Sequence, residues 1–138
     1  MRHAERLYLA GLWDAGGWIT ANVSRTTGQS HCTLGFTVAD ADAARWLARY
    51  FGGHIHRWKR KANITFVAAS SCLLLLDALE RYARKDTVAR ALARSYYRTV
   101  RPLVFSERVP IRIRRRRASI ICRIRDSTIP STRRRRIA

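Results

Sequence analysis

Acidic residues are scarce in this sequence. Nine Asp plus Glu stand against 28 Lys plus Arg in 138 residues, which leaves a formal net charge of +19 and a pI near 11.6. A compact chain with that imbalance repels itself unless a polyanion screens it, so a phosphate-rich partner is the natural reading. Lysine is scarce as well: Lys59, Lys61 and Lys85 are the three, so 25 of the cations are arginine. Arginine forks phosphate oxygens and stacks on bases, which suits structured RNA or DNA. A GC-rich genome raises Arg and Ala together and offers a second source for the same composition. Cysteine is limited to Cys32, Cys72 and Cys122 with no close pair. That excludes a disulfide framework and a cysteine-built zinc site, and reads as buried thiols in a reducing compartment. Long hydrophobic runs are missing. The stretch from Ile64 to Leu76 is broken by Thr65, Ser70 and Ser71 and is too short to span a bilayer. Arg2-His3-Ala4-Glu5-Arg6 leads straight into a helical pattern, so no leader is expected, and an organellar protein would be organelle-encoded or already processed.

What is present divides in two. Residues 1–105 carry a net charge of +9 and residues 106–138 a net of +10, so about a third of the chain holds half the charge. The expected organisation is a globular body, 1–105, and an Arg-rich extended tail, 106–138. In the body, Glu5–Gly16 reads as a helix. Gly17–Arg25 then alternates Ile19, Ala21 and Val23 against Thr20, Asn22 and Ser24, and His31–Val38 alternates around Cys32, Leu34, Phe36 and Val38. Asp40 caps a helix through Phe51 with Ala43, Leu47, Tyr50 and Phe51 inward, and Gly52-Gly53 ends it. A second hairpin pairs His54–Trp58 with Ala62–Ala68. Ser70 or Ser71 caps a third helix to about Arg84, with Asp77–Arg81 and Glu80–Arg84 as i,i+4 pairs. Asp86 caps a fourth helix to Arg101. The prediction is an α+β fold of order αββαββαα with a four-stranded antiparallel sheet.

Between Tyr8 and Ile19 lies Leu9-Ala10-Gly11-Leu12-Trp13-Asp14-Ala15-Gly16-Gly17, seven of whose nine letters match the signature of the LAGLIDADG homing endonucleases. The element order over roughly residues 5–101 resembles that family too. The resemblance implies a saddle whose concave sheet face lies on a duplex groove. It also implies that the motif helix packs against a second copy, through the small residues Ala10, Gly11 and Ala15. The last acidic letter of the motif holds the divalent metal for two-metal phosphodiester cleavage. Here that letter is Gly16, which offers no side-chain ligand. Asp14, structural in the family, lies roughly 200° around the helix from it. The expectation is therefore no catalytic residue, no metal and no cofactor. Trp13 stands where the family has a smaller residue and makes a homodimer doubtful.

A binding surface remains. Thr20, Asn22, Ser24, His31, Thr33, Thr37, His54, His56, Trp58, Asn63 and Thr65 share the polar side of the strands, and Arg25, Lys59, Arg60 and Lys61 sit at hairpin ends, a set that suits groove readout flanked by phosphate contacts. His54 and His56 alternate on one face with no third ligand beside them. Arg90, Arg94, Arg98 and Arg101 fall within an arc of about 80° on the fourth helix and are expected to touch phosphate, with Val88, Leu92, Tyr96 and Thr99 inward. The tail adds Arg112, Arg114, Arg115, Arg116 and Arg117, then Arg133, Arg134, Arg135 and Arg136. It is expected to be disordered alone and to fold on RNA. The partner expected is structured RNA with neighbouring proteins of a ribonucleoprotein particle, and no membrane. A tail that only RNA orders favours ribosomal RNA of a mitochondrial or other organellar ribosome over a maturase-type splicing role. Gly16 weighs against an active DNA endonuclease.

Overall fold

The computed structural model describes residues 1–100 and 109–128. Helix α1 (His3–Gly16) leads into strands β1 (Gly17–Val23) and β2 (Ser30–Val38). Helix α2 (Ala41–Phe51), strands β3 (His54–Trp58) and β4 (Lys61–Phe66), and helices α3 (Ala69–Leu79), α4 (Thr87–Val100) and α5 (Ile111–Thr128) follow. The strands form one antiparallel sheet in the order β1-β2-β4-β3. This is the expected αββαββαα arrangement with a fifth helix added.

Alternation explains why the sheet has one covered face. Ile19 sits opposite Leu34 and Leu34 opposite Phe66, while Gly17, Phe36 and Ile64 form the next row. Side chains at every second position point the same way, so these rows make an apolar surface. Leu9 and Trp13 of α1, Leu47 and Phe51 of α2, Leu75, Leu76 and Leu79 of α3, and Tyr97 of α4 complete the core. The Trp13 and Phe36 rings meet edge to face at 5.3 Å, and Phe36 and Phe66 at 6.1 Å. Two phenols tie α4 to β2: Tyr97 donates to the Cys32 carbonyl at 2.7 Å and Tyr96 to the Ser30 carbonyl at 2.6 Å. Burial pushes the Cys32 thiol up to about 12 and the Cys72 thiol to about 11. Cys122, expected to be buried like these two, is exposed on α5.

Local expectations shift in six places. Ser24 and Arg25 lie past the end of β1 in the β1–β2 turn, where Ser24 accepts from Thr27 and Gly28. Tyr50 is outward and donates to Glu5 at 2.7 Å. Neither Ser70 nor Ser71 caps α3; the cap position is Ala68, with no side-chain bond. That helix stops at Leu79 rather than near Arg84; after a last turn onto the Leu79 carbonyl, the Arg84 and Lys85 amides donate to the Asp14 carboxylate instead of to the helix. Asp77 and Glu80 pair with Arg94 instead of Arg81 and Arg84. On α4, Val88 is 64% exposed rather than inward, and Ala89, Leu92, Ala93, Tyr96 and Tyr97 make the buried face.

The largest correction concerns the segment expected to be an extended tail. Residues 111–128 are helix α5, packed against α4, β1 and β2. Pro110 opens it, its carbonyl accepting from Ile113 and Arg114. Ile113, Ile120, Ile121 and Ile124 recur at helical spacing, and the last three are buried in the common core. Each contributes about 1.5–3 kcal/mol of burial. Arg117 turns inward as well, donating to the Thr99 hydroxyl at 3.0 Å and the Thr99 carbonyl at 2.9 Å. Arg133, Arg134, Arg135 and Arg136 lie outside the described residues.

Because Ile121 is fully buried, Ile121→Ala is expected to cost about 2–5 kcal/mol of unfolding free energy in a urea titration. A cost below about half a kcal/mol, the range of neutral surface changes, would return α5 to the status of an appendage.

Candidate nucleic-acid interface

Among the described residues the face of the sheet opposite the core carries no helix, and its cross-strand rows can be read from the register. Trp18, Gly35, Thr65 and His54 form one row, and Thr37, Asn63 and His56 the next. Thr20 faces Thr33, Asn22 faces His31, and Trp58 faces Lys61. The sequence therefore placed these side chains on a common surface. Thr20, Asn22, His31, His54, His56 and Trp58 are exposed, and Thr33, Thr37, Asn63 and Thr65 half-buried. The His54 and His56 rings meet edge to face at 4.5 Å. Among the described residues no group of three His, Cys, Asp or Glu side chains gathers to hold a metal. Cations rim this face: Arg25 at the β1–β2 turn, and Lys59, Arg60 and Lys61 at the β3–β4 turn. No ion pair among the described residues involves any of the four.

Trp18 is the residue that sequence reading missed. It is in phase with Thr20 and Asn22, and its indole lies over Gly35, where any Cβ would overlap the ring. Gly35 is required there by close approach, not by backbone angle.

The arginine stripe of α4 does not belong to this surface. Arg90 is 6% exposed and donates to the carbonyls of Leu79 at 3.1 Å, Ala83 at 2.6 Å and Lys85 at 3.0 Å. It thus satisfies carbonyls that the end of α3 and its turn leave open, and burial lowers its pKa. Arg94 bonds Glu80 at 2.8 Å, Asp77 at 3.1 Å and the Leu76 carbonyl at 3.1 Å. Its guanidinium holds the Glu80 carboxyl below the usual range. Arg98 is exposed, and Arg101 lies outside the described residues. Arg112, Arg114, Arg115 and Arg116 are exposed on α5, in the helix layer.

At the foot of α1 the polar side chains are engaged. Asp14 accepts from the Arg84 amide at 2.9 Å and the Lys85 amide at 2.8 Å. The Trp13 indole donates to the Lys85 carbonyl at 3.2 Å, and the Lys85 ammonium to the Gly17 carbonyl at 2.7 Å. Gly16 sits against β2 so closely that a Cβ placed on it would lie inside the Thr37 carbonyl oxygen.

Sequence comparison finds no matching family model and no matching curated protein. Solved structures do match. The homing endonuclease I-CvuI in complex with the I-CreI target is similar at a TM-score of 0.75 and 14% identity, over 93% of this chain and 84% of that one. The archaeal intron-encoded homing endonuclease I-Vdi141I, complexed with DNA, gives 0.73 and 14% over 93% and 86%. The homing endonuclease I-TnaI gives 0.58 and 15% over 83% and 97%.

The chain has the LAGLIDADG-like fold.

In that fold α1 is the motif helix, and two expectations about it change. Trp13 is fully buried against Phe36, so it does not obstruct a partner helix as its bulk suggested. Ala10 is buried too; the outer side of the helix is Leu7, Tyr8, Gly11 and Ala15. The residues present do not fit the metal that the family resemblance implies. Gly16 has no side-chain donor and no room for one, and both oxygens of Asp14 are held by backbone amides.

Since the Cβ is what collides, Gly16→Ala and Gly16→Asp should destabilise alike, by about 1–3 kcal/mol for a forced overlap. Calorimetry on both variants checks this. A Gly16→Asp protein as stable as the parent, and further stabilised by magnesium, would contradict the reading of this site.

Proposed function

We propose that this chain binds nucleic acid on the open face of its sheet and does not cleave it. The observation that carries the reading is the Gly16 contact. A carboxylate at the metal-holding position requires α1 and β2 to move apart, and Asp14 is already committed. The open face, by contrast, keeps short hydrogen-bonding side chains flanked by Arg25, Lys59, Arg60 and Lys61. Side chains of that kind read base edges while the cations track phosphates. The structural neighbours I-CvuI and I-Vdi141I were solved with DNA, which supports a nucleic-acid partner here. The net charge of +19 calls for a polyanion independently of the fold.

A second copy or second domain against the Leu7, Gly11 and Ala15 side of α1 is compatible with this reading now that Trp13 faces inward. A preference for ribosomal RNA over an intron depends on a tail that only RNA can order. Helix α5 is ordered by its own isoleucines, and over residues 111–128 the preference goes with it.

Purified protein should bind duplex DNA and structured RNA without cutting either in magnesium or manganese. Affinity should fall steeply with salt, each phosphate contact contributing about 0.7–0.9 to the log–log slope. Replacing Lys59, Arg60 and Lys61 with Ala should flatten that slope by about two to three. Metal-dependent cleavage would overturn the proposal, and an unchanged slope would remove the β3–β4 turn from the interface.

A further inference from the structure

We infer that the open face is built to hold unpaired nucleotides, with Trp18 and Trp58 as stacking platforms. The inference rests on the nucleic-acid reading above and names its substrate class. Trp58 is 73% exposed, on edge strand β3. At that exposure most of the indole, including a ring face, is open to a stacking partner. The turn beside it supplies Lys59, Arg60 and Lys61. Trp18 lies over Gly35 at the opposite edge strand, β1, where the missing side chain lets the ring lie close to the sheet.

A tryptophan has little to read in an intact duplex groove, which presents base edges and atoms rather than ring faces. An unpaired base presents its π-face, and stacking on indole beside cations that follow the backbone is how single strands are held without strict sequence preference. The two indoles are four residues apart along the strands and three strands apart across them. At about 3.3 Å per residue and 4.8 Å per strand the separation is about 19 Å. About six nucleotides at the stacked spacing of 3.4 Å cover it, and such sites commonly take roughly 4–16. Thr37, Asn63 and His56 lie along that diagonal and offer hydrogen bonds to the base edges between the platforms.

The test titrates the full chain with short unstructured RNA, DNA of the same sequence, and the matching duplexes, followed by tryptophan fluorescence. The single strands should quench the emission and bind more tightly than the duplexes; a larger effect for RNA or for DNA identifies which strand is preferred. Trp58→Ala should weaken single-strand binding about tenfold, a larger loss than duplex binding suffers, and Trp58→Phe should restore most of it. Because Trp58 is exposed, these variants keep the fold, which circular dichroism verifies. Duplex binding that equals or exceeds single-strand binding, or a Trp58→Ala variant that loses neither or both equally, overturns the stacking inference and leaves the groove reading standing. Failure of the parent protein to bind any nucleic acid overturns both.

Discussion

The close approach of Gly16 to the Thr37 carbonyl sets how the motif helix meets the sheet, and much else follows from it. With no side chain at position 16, the end of α1 can rest on β2 and turn directly into β1 at Gly17. That seat rotates Trp13 into the core against Phe36. It also brings Asp14 over the Arg84 and Lys85 amides, which fixes the α3–α4 connection. Lys85 then reaches the Gly17 carbonyl, and Arg90 closes the same connection from α4. A position that serves metal chemistry in the family the motif resembles serves close packing in this chain.

The cations separate into two groups with different physics. Arg90, Arg94 and Arg117 are spent on the protein itself, capping carbonyls, pairing carboxylates or bridging α4 to α5. Loss of Arg90 leaves carbonyls of the α3–α4 turn without a donor, and loss of Arg94 or Arg117 breaks part-buried bonds to the Leu76 and Thr99 carbonyls, so their cost falls on stability. Arg25, Lys59, Arg60 and Lys61 rim the uncovered sheet and leave the core untouched. Their cost falls on binding and varies with salt.

Much of the fold was legible because it is written in period. Strict alternation in β1 and β2 and the Gly52-Gly53 stop read directly into strands and a helix end. The open-face residues were legible for the same reason. Helix α5 was hidden by charge: its isoleucines repeat at helical spacing, but the arginines between them suggest a chain unable to bury anything. The α4 stripe failed differently. The buried face of that helix is centred on Ala89, Ala93, Tyr96 and Tyr97, which carries Arg90 inward with it, and a polar letter in a periodic pattern does not reveal a carbonyl waiting for it. Trp18 was passed over because an aromatic in an alternating strand reads as core until its phase is counted. The Gly16–Thr37 contact spans residues far apart in sequence, and no local signal announces it.

The central claim is that nucleic acid lies on the uncovered sheet rather than on the arginine-rich helices. Ultraviolet crosslinking of the full chain to bound nucleic acid, with the attachment points mapped by mass spectrometry, tests it most directly. The account predicts crosslinks within β3, β4 and the turn between them, from His54 to Thr65. Crosslinks confined to α4 and α5, with none on the sheet, would contradict it.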